Sequence, residues 1–331
     1  MNNFDNKILP CLYINITEKC NMKCEYCPTY GENWESTEGL LELDTVLDVI
    51  SAAHNAGVVS YRISGGEPMI FPLRVFAILD KLNSLGINDI ILNTNGFNTF
   101  KYVDRLKKYE INKVKVSIDT LDRSLFKEIT NLDKIDDVLN SINSLRSNNI
   151  PLELNMVVFQ KNASSFWEIL EFCVERGISL KLLDLVFYEI LVRNDEEPIE
   201  YWRREYFNLA NYVPRLTERF GEPRLVRLSN DRGIPMYEFK IGKAATLTLK
   251  DGTLGSTYAD ICRKCDHFPC QEGLFHLSLS AEGSLTPCRL RRDLTVSMKE
   301  KSFIEIENIV ENTIPAYQNP FFVKETVEFP S

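Results

Sequence analysis

Cys20, Cys24 and Cys27, in the run ITEKCNMKCEYCP, are spaced so that one short loop offers three thiolates to a single metal centre. Cys262, Cys265, Cys270 and Cys288 form a second group with four. A structural zinc ion takes four protein ligands, and no further cysteine or histidine follows the first group until His54. An iron–sulfur cubane is normally held by four thiolates, one per iron, so a three-thiolate loop leaves one iron open to bind and activate something else. For the second group, spacing alone fits a zinc knuckle as well as a cluster. Cys11 and Cys173 stand alone and read as small buried hydrophobes.

Gly65-Gly66-Glu67-Pro68 directly follows a strand-like run, where ligands bind in α/β proteins. Paired glycines let backbone come close to a neighbour, and Glu67 can accept from an amino group. Taken alone, the same four residues also fit a simple turn before a helix.

The elements that must position these groups alternate at intervals near thirty residues. Strand-like runs lie at 12–17, 61–66, 90–95, 113–119, 152–158 and 180–186. Helical periodicity covers 40–56, 72–85 and 164–176, each closed by a glycine. Six βα units imply a parallel sheet with helices outside it. One face of nearly every strand is nevertheless polar: Tyr13, Asn15 and Thr17; Arg62 and Ser64; Asn93 and Asn95; Lys115, Ser117 and Asp119; Glu153 and Asn155. Val114, Val116 and Ile118 would face the helices. An open sheet with a solvated face would also show this pattern; the expectation is an α/β fold, a partial (βα)6 TIM-like barrel around a wet lumen, followed by a small C-terminal domain that the resemblance below implies to be an auxiliary-cluster domain. Past about residue 190 the pattern becomes charged and aromatic-rich, then short strands and turns, so the expected division is 1–190 and 191–331.

The 331 residues are 44% apolar, enough for a well-buried core, with no stretch near the roughly 20 apolar residues a membrane helix needs. With 47 acidic against 38 basic residues, nucleic acid is not an expected partner. Nine cysteines, an odd number, argue against a disulfide scaffold. A soluble, cytoplasmic protein is expected.

The cysteine spacing followed by GGEP resembles the radical S-adenosylmethionine (SAM) superfamily. The resemblance implies a [4Fe-4S] cluster on Cys20, Cys24 and Cys27, whose open iron chelates SAM; reductive cleavage then yields a 5′-deoxyadenosyl radical. It gives Tyr26 an adenine-side contact, and Gly65, Gly66 and Glu67 the methionine amino group. Ser117, Asp119 and Asn155 fall where relatives touch the ribose or carboxylate of SAM, and Asn93, Thr94 and Asn95 would line the same cavity. In the second group, LFHLSLSAEGSLTPC reads as a hairpin turning near Glu282-Gly283. Its Gly-x4-Cys ending is similar to the twitch and SPASM domains of radical SAM enzymes, which implies an auxiliary [4Fe-4S] cluster on Cys262, Cys265, Cys270 and Cys288. LYINITEKCNMKCEYC, YRISGGEP, LELNMVVFQKN and the stretch from RGIPMYEF to DICRKC resemble the MoaA-like GTP 3′,8-cyclase family.

Several positions depart from that family. Tyr13 and HLSLS (276–280) stand where it carries arginines, the chain ends EFPS rather than with a glycine pair, and Cys270 is additional. Without those arginines a triphosphate would be poorly held. Whether all four late cysteines ligate, closing the cluster, or one stays free stays open on spacing alone. Arg289, Arg291 and Arg292 fit either an anionic substrate group or a solvated turn. The resemblance implies a flavodoxin or ferredoxin reductant and a nucleotide- or sugar-like small molecule as substrate. A ribosomally made peptide ranks second, because no separate leader-binding domain precedes Cys20. A non-catalytic iron–sulfur or zinc scaffold is the alternative of a different class.

Overall fold

The computed structural model describes residues 9–27, 40–187, 197–228, 232–270 and 273–324. Its first half is β1 (Cys11–Asn15), α1 (Leu43–Asn55), β2 (Ser60–Ser64), α2 (Pro72–Ser84), β3 (Asp89–Thr94), α3 (Val103–Leu106), β4 (Lys113–Ser117), α4 (Arg123–Thr130), α5 (Ile135–Ser147), β5 (Leu152–Val158), α6 (Phe166–Arg176) and β6 (Ser179–Asp184). The helix ends follow local chemistry. Asp122 caps α4 by accepting from the Leu125 amide, and Gly177, at φ 65°, lets the chain leave α6 in the left-handed region.

Strands β1 to β6 pair in parallel in chain order. Leu12, Ile14, Ile63, Leu92, Val114, Val116, Leu154 and Leu180 are buried in one core with Val49, Ile50, Ile78, Leu79, Ile142 and Leu170 of the helices. Each such side chain is worth about 1.5–3 kcal/mol over leaving it exposed. A one-residue slip would turn the polar face of a strand into this core, so the register is strongly fixed.

The second half continues with α7 (Pro198–Glu205), α8 (Val213–Phe220), β7 (Arg224–Leu228), β8 (Arg232–Lys240), β9 (Thr246–Lys250), β10 (Ser256–Tyr258), β11 (His276–Leu279), β12 (Ser284–Thr286), β13 (Val296–Ser297), α9 (Phe303–Thr313) and β14 (Phe321–Val323). Two of these strands extend the parallel sheet beyond the six expected. β9 pairs in parallel with β6, and β11 in parallel with β1, so eight consecutive strands run the same way. Antiparallel β8 and β7 follow on one edge, and β12 and β13 on the other. Among the described residues the twelve-stranded sheet does not close. β11 and β12 form the expected hairpin, turning at Gly283 with φ 92°. No described helix is long and apolar enough to cross a membrane.

Candidate functional site

The loop carrying the first three cysteines leaves the carboxyl end of β1 and is docked through main-chain groups. The Gly66 amide donates to the Thr17 carbonyl at 2.6 Å and the Glu67 amide to the Lys19 carbonyl at 2.8 Å. On the other side, the Lys23 and Glu25 amides donate to the Thr130 and Ile129 carbonyls, at the end of α4, at 2.9 and 3.1 Å. The glycine pair exists for this contact. A Cβ on Gly65, whose φ is 143°, would lie 2.3 Å from the Thr17 oxygen, and one on Gly66 2.0 Å from the Lys19 oxygen.

Side chains at the strand ends complete the docking. The buried Glu67 carboxylate accepts from the Met69 amide at 2.8 Å, the Thr94 hydroxyl at 2.7 Å and the Asn95 amide at 2.5 Å. Burial raises its pKa to about 7 against those three donors. Thr94 is thereby committed to Glu67 and to Thr99, at 3.0 Å. Asn95 reaches the loop itself, donating to Asn21 Oδ1 at 2.8 Å and to Cys20 Sγ at 3.6 Å. The Tyr26 hydroxyl donates to Asp119 at 2.6 Å, and Asp119 also accepts from the Val157 amide at 2.9 Å. Burial lifts the Asp119 carboxyl to about 6. Ser117 is exposed and lies in register with Asn155, whose Oδ1 is buried with no hydrogen-bond partner.

The donor set suits a metal centre. Burial pushes the Cys20 thiol up to about 12 and Cys24 well above its ordinary value, with Cys27 acting on both. Bare, these two thiols would keep their protons, so their thiolates need positive charge brought to them. Among the described residues no group of three His, Cys, Asp or Glu side chains is arranged to hold a single metal ion.

The polar face of the same sheet is charged. Lys113 and Lys115 each pair with the buried Glu153 at 2.7 Å, and Arg62 pairs with Asp89 at 3.2 Å. Lys181 stands in register with Asn155 and with Thr248 of β9. Burial first, and then the neighbouring Lys115, bring its ammonium down to about 7. His276 and Ser278 lie on the same face of β11, in register with Cys11 and Tyr13, and the Tyr13 and His276 rings are 4.9 Å apart. Both ring nitrogens of His276 and the Ser278 hydroxyl are buried without hydrogen-bond partners. Burial, then Arg289 and Lys250, push the imidazole pKa down to about 3, so it is neutral. Sequence reading missed Lys181, Lys250 and His276 as lumen groups. The signal for Lys181 was its place between Leu180 and Leu182 in an alternating strand.

Cys262, Cys265, Cys270 and Cys288 line one pocket away from the first loop. Arg291 lies at its edge, donating to the Ile261 carbonyl at 3.0 Å and pairing with Asp293 at 2.6 Å, while Arg289 and Arg292 are exposed.

Comparison with known proteins agrees with this architecture. The family model for the Radical SAM superfamily matches residues 14–173. A probable GTP 3′,8-cyclase of Sulfurisphaera tokodaii is 32% identical over 95% of this chain and 92% of its own, and one from Methanothermobacter thermautotrophicus is 27% identical over 87% of each. Among solved structures, Streptococcus suis SuiB bound to its precursor peptide SuiA superposes with a TM-score of 0.62 at 17% identity, covering 94% of this chain and 67% of that one. SuiB bound to S-adenosylmethionine gives 0.60 at 16%, with 91% and 65% covered, so this chain spans about two thirds of SuiB.

Proposed function

The chain belongs to the radical SAM superfamily, and on that premise we propose that it binds a [4Fe-4S] cluster on Cys20, Cys24 and Cys27, takes SAM at the adjoining strand ends, and acts on a small anionic substrate in the lumen. When bound, cluster and SAM supply a 5′-deoxyadenosyl radical able to take hydrogen from an unactivated carbon. The observation that supports this reading most is the cysteine loop docked on Gly65, Gly66 and Glu67, on a sheet whose β4, β6 and β9 carry Lys115, Lys181 and Lys250 on one face.

The chain's own residues have distinct tasks. Glu67 braces the loop against β3, and the Tyr26–Asp119 hydrogen bond ties it to the end of β4. Ser117 and Asn155 would offer polar atoms toward SAM, as would the main chain of Gly65 and Gly66. Lys181 and Lys250 would hold the anionic end of the substrate, and the enclosing sheet and helices would exclude water. His276 and Ser278 put two neutral side chains on the β11 wall, which suits a nucleotide- or sugar-like molecule less charged than a triphosphate. Residues 191–331 would carry an auxiliary [4Fe-4S] cluster on Cys262, Cys265, Cys270 and Cys288, and a flavodoxin or ferredoxin would reduce the first. Ring closure, cross-linking or dehydrogenation of the substrate are the outcomes such chemistry allows.

The test is anaerobic reconstitution with iron and sulfide, addition of SAM and dithionite, and chromatography for 5′-deoxyadenosine. The wild type should form it, and the triple variant C20A/C24A/C27A should not. No product from the wild type would overturn the reading and leave a non-catalytic scaffold. Turnover of a short peptide, with none of phosphorylated small molecules, would overturn the substrate class.

A further inference from the structure

Two buried polar side chains that no hydrogen bond accounts for stand side by side on β11. His276 and Ser278 alternate there with Leu277 and Leu279, which pack in the core with Leu12 and Ile14 of β1, so the polar pair faces away from that core. They are only 6% and 4% exposed. Neither imidazole nitrogen has a hydrogen-bond partner, nor has the serine hydroxyl, a condition that buried polar groups rarely keep without a ligand. The main chain beside them is engaged: the Phe275 carbonyl accepts from the Cys11 amide at 3.2 Å, and the buried Tyr317 hydroxyl donates to the His276 carbonyl at 2.8 Å. The His276 ring lies 4.9 Å from that of Tyr13 and 4.7 Å from that of Phe275. Packing thus places the two ring nitrogens without satisfying either.

Cations stand beside this pair rather than within it. Lys250 acts electrostatically on His276 and also on Lys181, although β9 and β11 lie at opposite ends of the eight-strand run, and Arg289 acts on His276 as well. Lys250 therefore links the Lys181 side of the lumen to the β11 pair. The unpaired atoms decide what can meet them. A neutral imidazole carries one N–H and one bare nitrogen, and a serine hydroxyl both donates and accepts. A carboxylate or fully ionised phosphate oxygen only accepts, so it would leave the bare nitrogen unmet and set against negative charge. A hydroxyl or an amide group matches both needs. We propose that His276 and Ser278 form a second pole of the substrate site, which hydrogen-bonds an uncharged hydroxyl or amide group of the molecule whose anionic end is held by Lys181 and Lys250. The substrate then lies with its charge toward β6 and β9 and its neutral polar part toward β11. This inference rests on the anionic-substrate reading above.

The experiment is isothermal titration calorimetry of the reconstituted full chain with three probes that share one phosphate: inorganic phosphate, ribose 5-phosphate, which adds hydroxyls, and N-acetyl-O-phosphoserine amide, which adds amides. The expected result is that at least one of the last two binds about 10-fold or more tightly than inorganic phosphate, the worth of two neutral hydrogen bonds, and the one that does so names the group. His276→Leu should erase that excess and leave the affinity for inorganic phosphate unchanged, while His276→Gln, which keeps a donor and an acceptor, should restore part of it. Ser278→Ala serves the same comparison should His276→Leu fail to fold. Equal affinity for the three probes, or equal weakening of all three by His276→Leu, would overturn the second pole and leave the anionic site standing. No binding by any of the three would overturn the anionic-substrate reading, and the second pole with it.

Discussion

Asn95 joins the third strand end to Cys20, the proposed cluster ligand, since one amide serves both Asn21 and Cys20. Groups that orient a metal ligand commonly matter 10- to 100-fold in metal affinity or activity. Asn95→Ala should therefore lose iron to a chelator at least about 10-fold faster than wild type, measured by bleaching of the cluster absorbance, with little change in circular dichroism. Glu153 gives a pH-dependent counterpart. Burial alone would raise its carboxyl, but Lys115 and then Lys113 outweigh it and hold it at about 2. A carboxyl held below its unfolded value contributes stability above that value and loses it as pH falls toward the folded one. Glu153→Gln should cost about 3 kcal/mol at pH 7. The gap to wild type in urea melts should shrink between about pH 4.5 and pH 2. The cysteines were legible in sequence because their spacing is itself the message. Glu67 and Asp119 were singled out from sequence, yet three donors on one and a tyrosine on the other are contacts that no spacing encodes. His276 could be read only as a missing arginine; its burial with both nitrogens unpartnered needed the β1–β11 pairing.

At the level of elements, the glycines that look alike in sequence do different work. Gly66→Ala would force a methyl to 2.0 Å from the Lys19 carbonyl oxygen, and backbone cannot yield cheaply there. Gly177→Ala meets nothing within 4 Å and costs only the left-handed φ at the end of α6, about 1 kcal/mol. The expected outcome is that Gly66→Ala takes up little iron on reconstitution, whereas Gly177→Ala takes up as much as wild type and melts a few degrees lower. Iron content and thermal melts read both. The six strands and the helices α1, α2 and α6 were legible to within a few residues, because apolar periodicity and closing glycines are local signals, whereas α3, α4 and α5 were not read. The two extra parallel strands were not. β11 finds its partner β1 at the far end of the chain, and its four residues of strand carry no mark of so distant a neighbour.

For the molecule as a whole, late elements finish what early ones begin. β9 and β11 cover the two outer edges of the β1–β6 sheet, and α9 packs on α1 with Asn55 donating to Glu307 at 2.8 Å. A fragment ending at residue 190 would expose both strand edges and the apolar face of α1, so it should be insoluble or bind 8-anilinonaphthalenesulfonate strongly. The intact chain should unfold in one transition by circular dichroism and fluorescence alike, and two separated transitions would show that the halves are independent. The same strand order has a consequence in time. During synthesis, β1 emerges first but its outer neighbour only after residue 276 has been added. At ~5–20 residues per second, that edge stands bare on the ribosome for tens of seconds. A nascent chain of this kind gains from being shielded from its copies on the same polysome until residue 279 has been added.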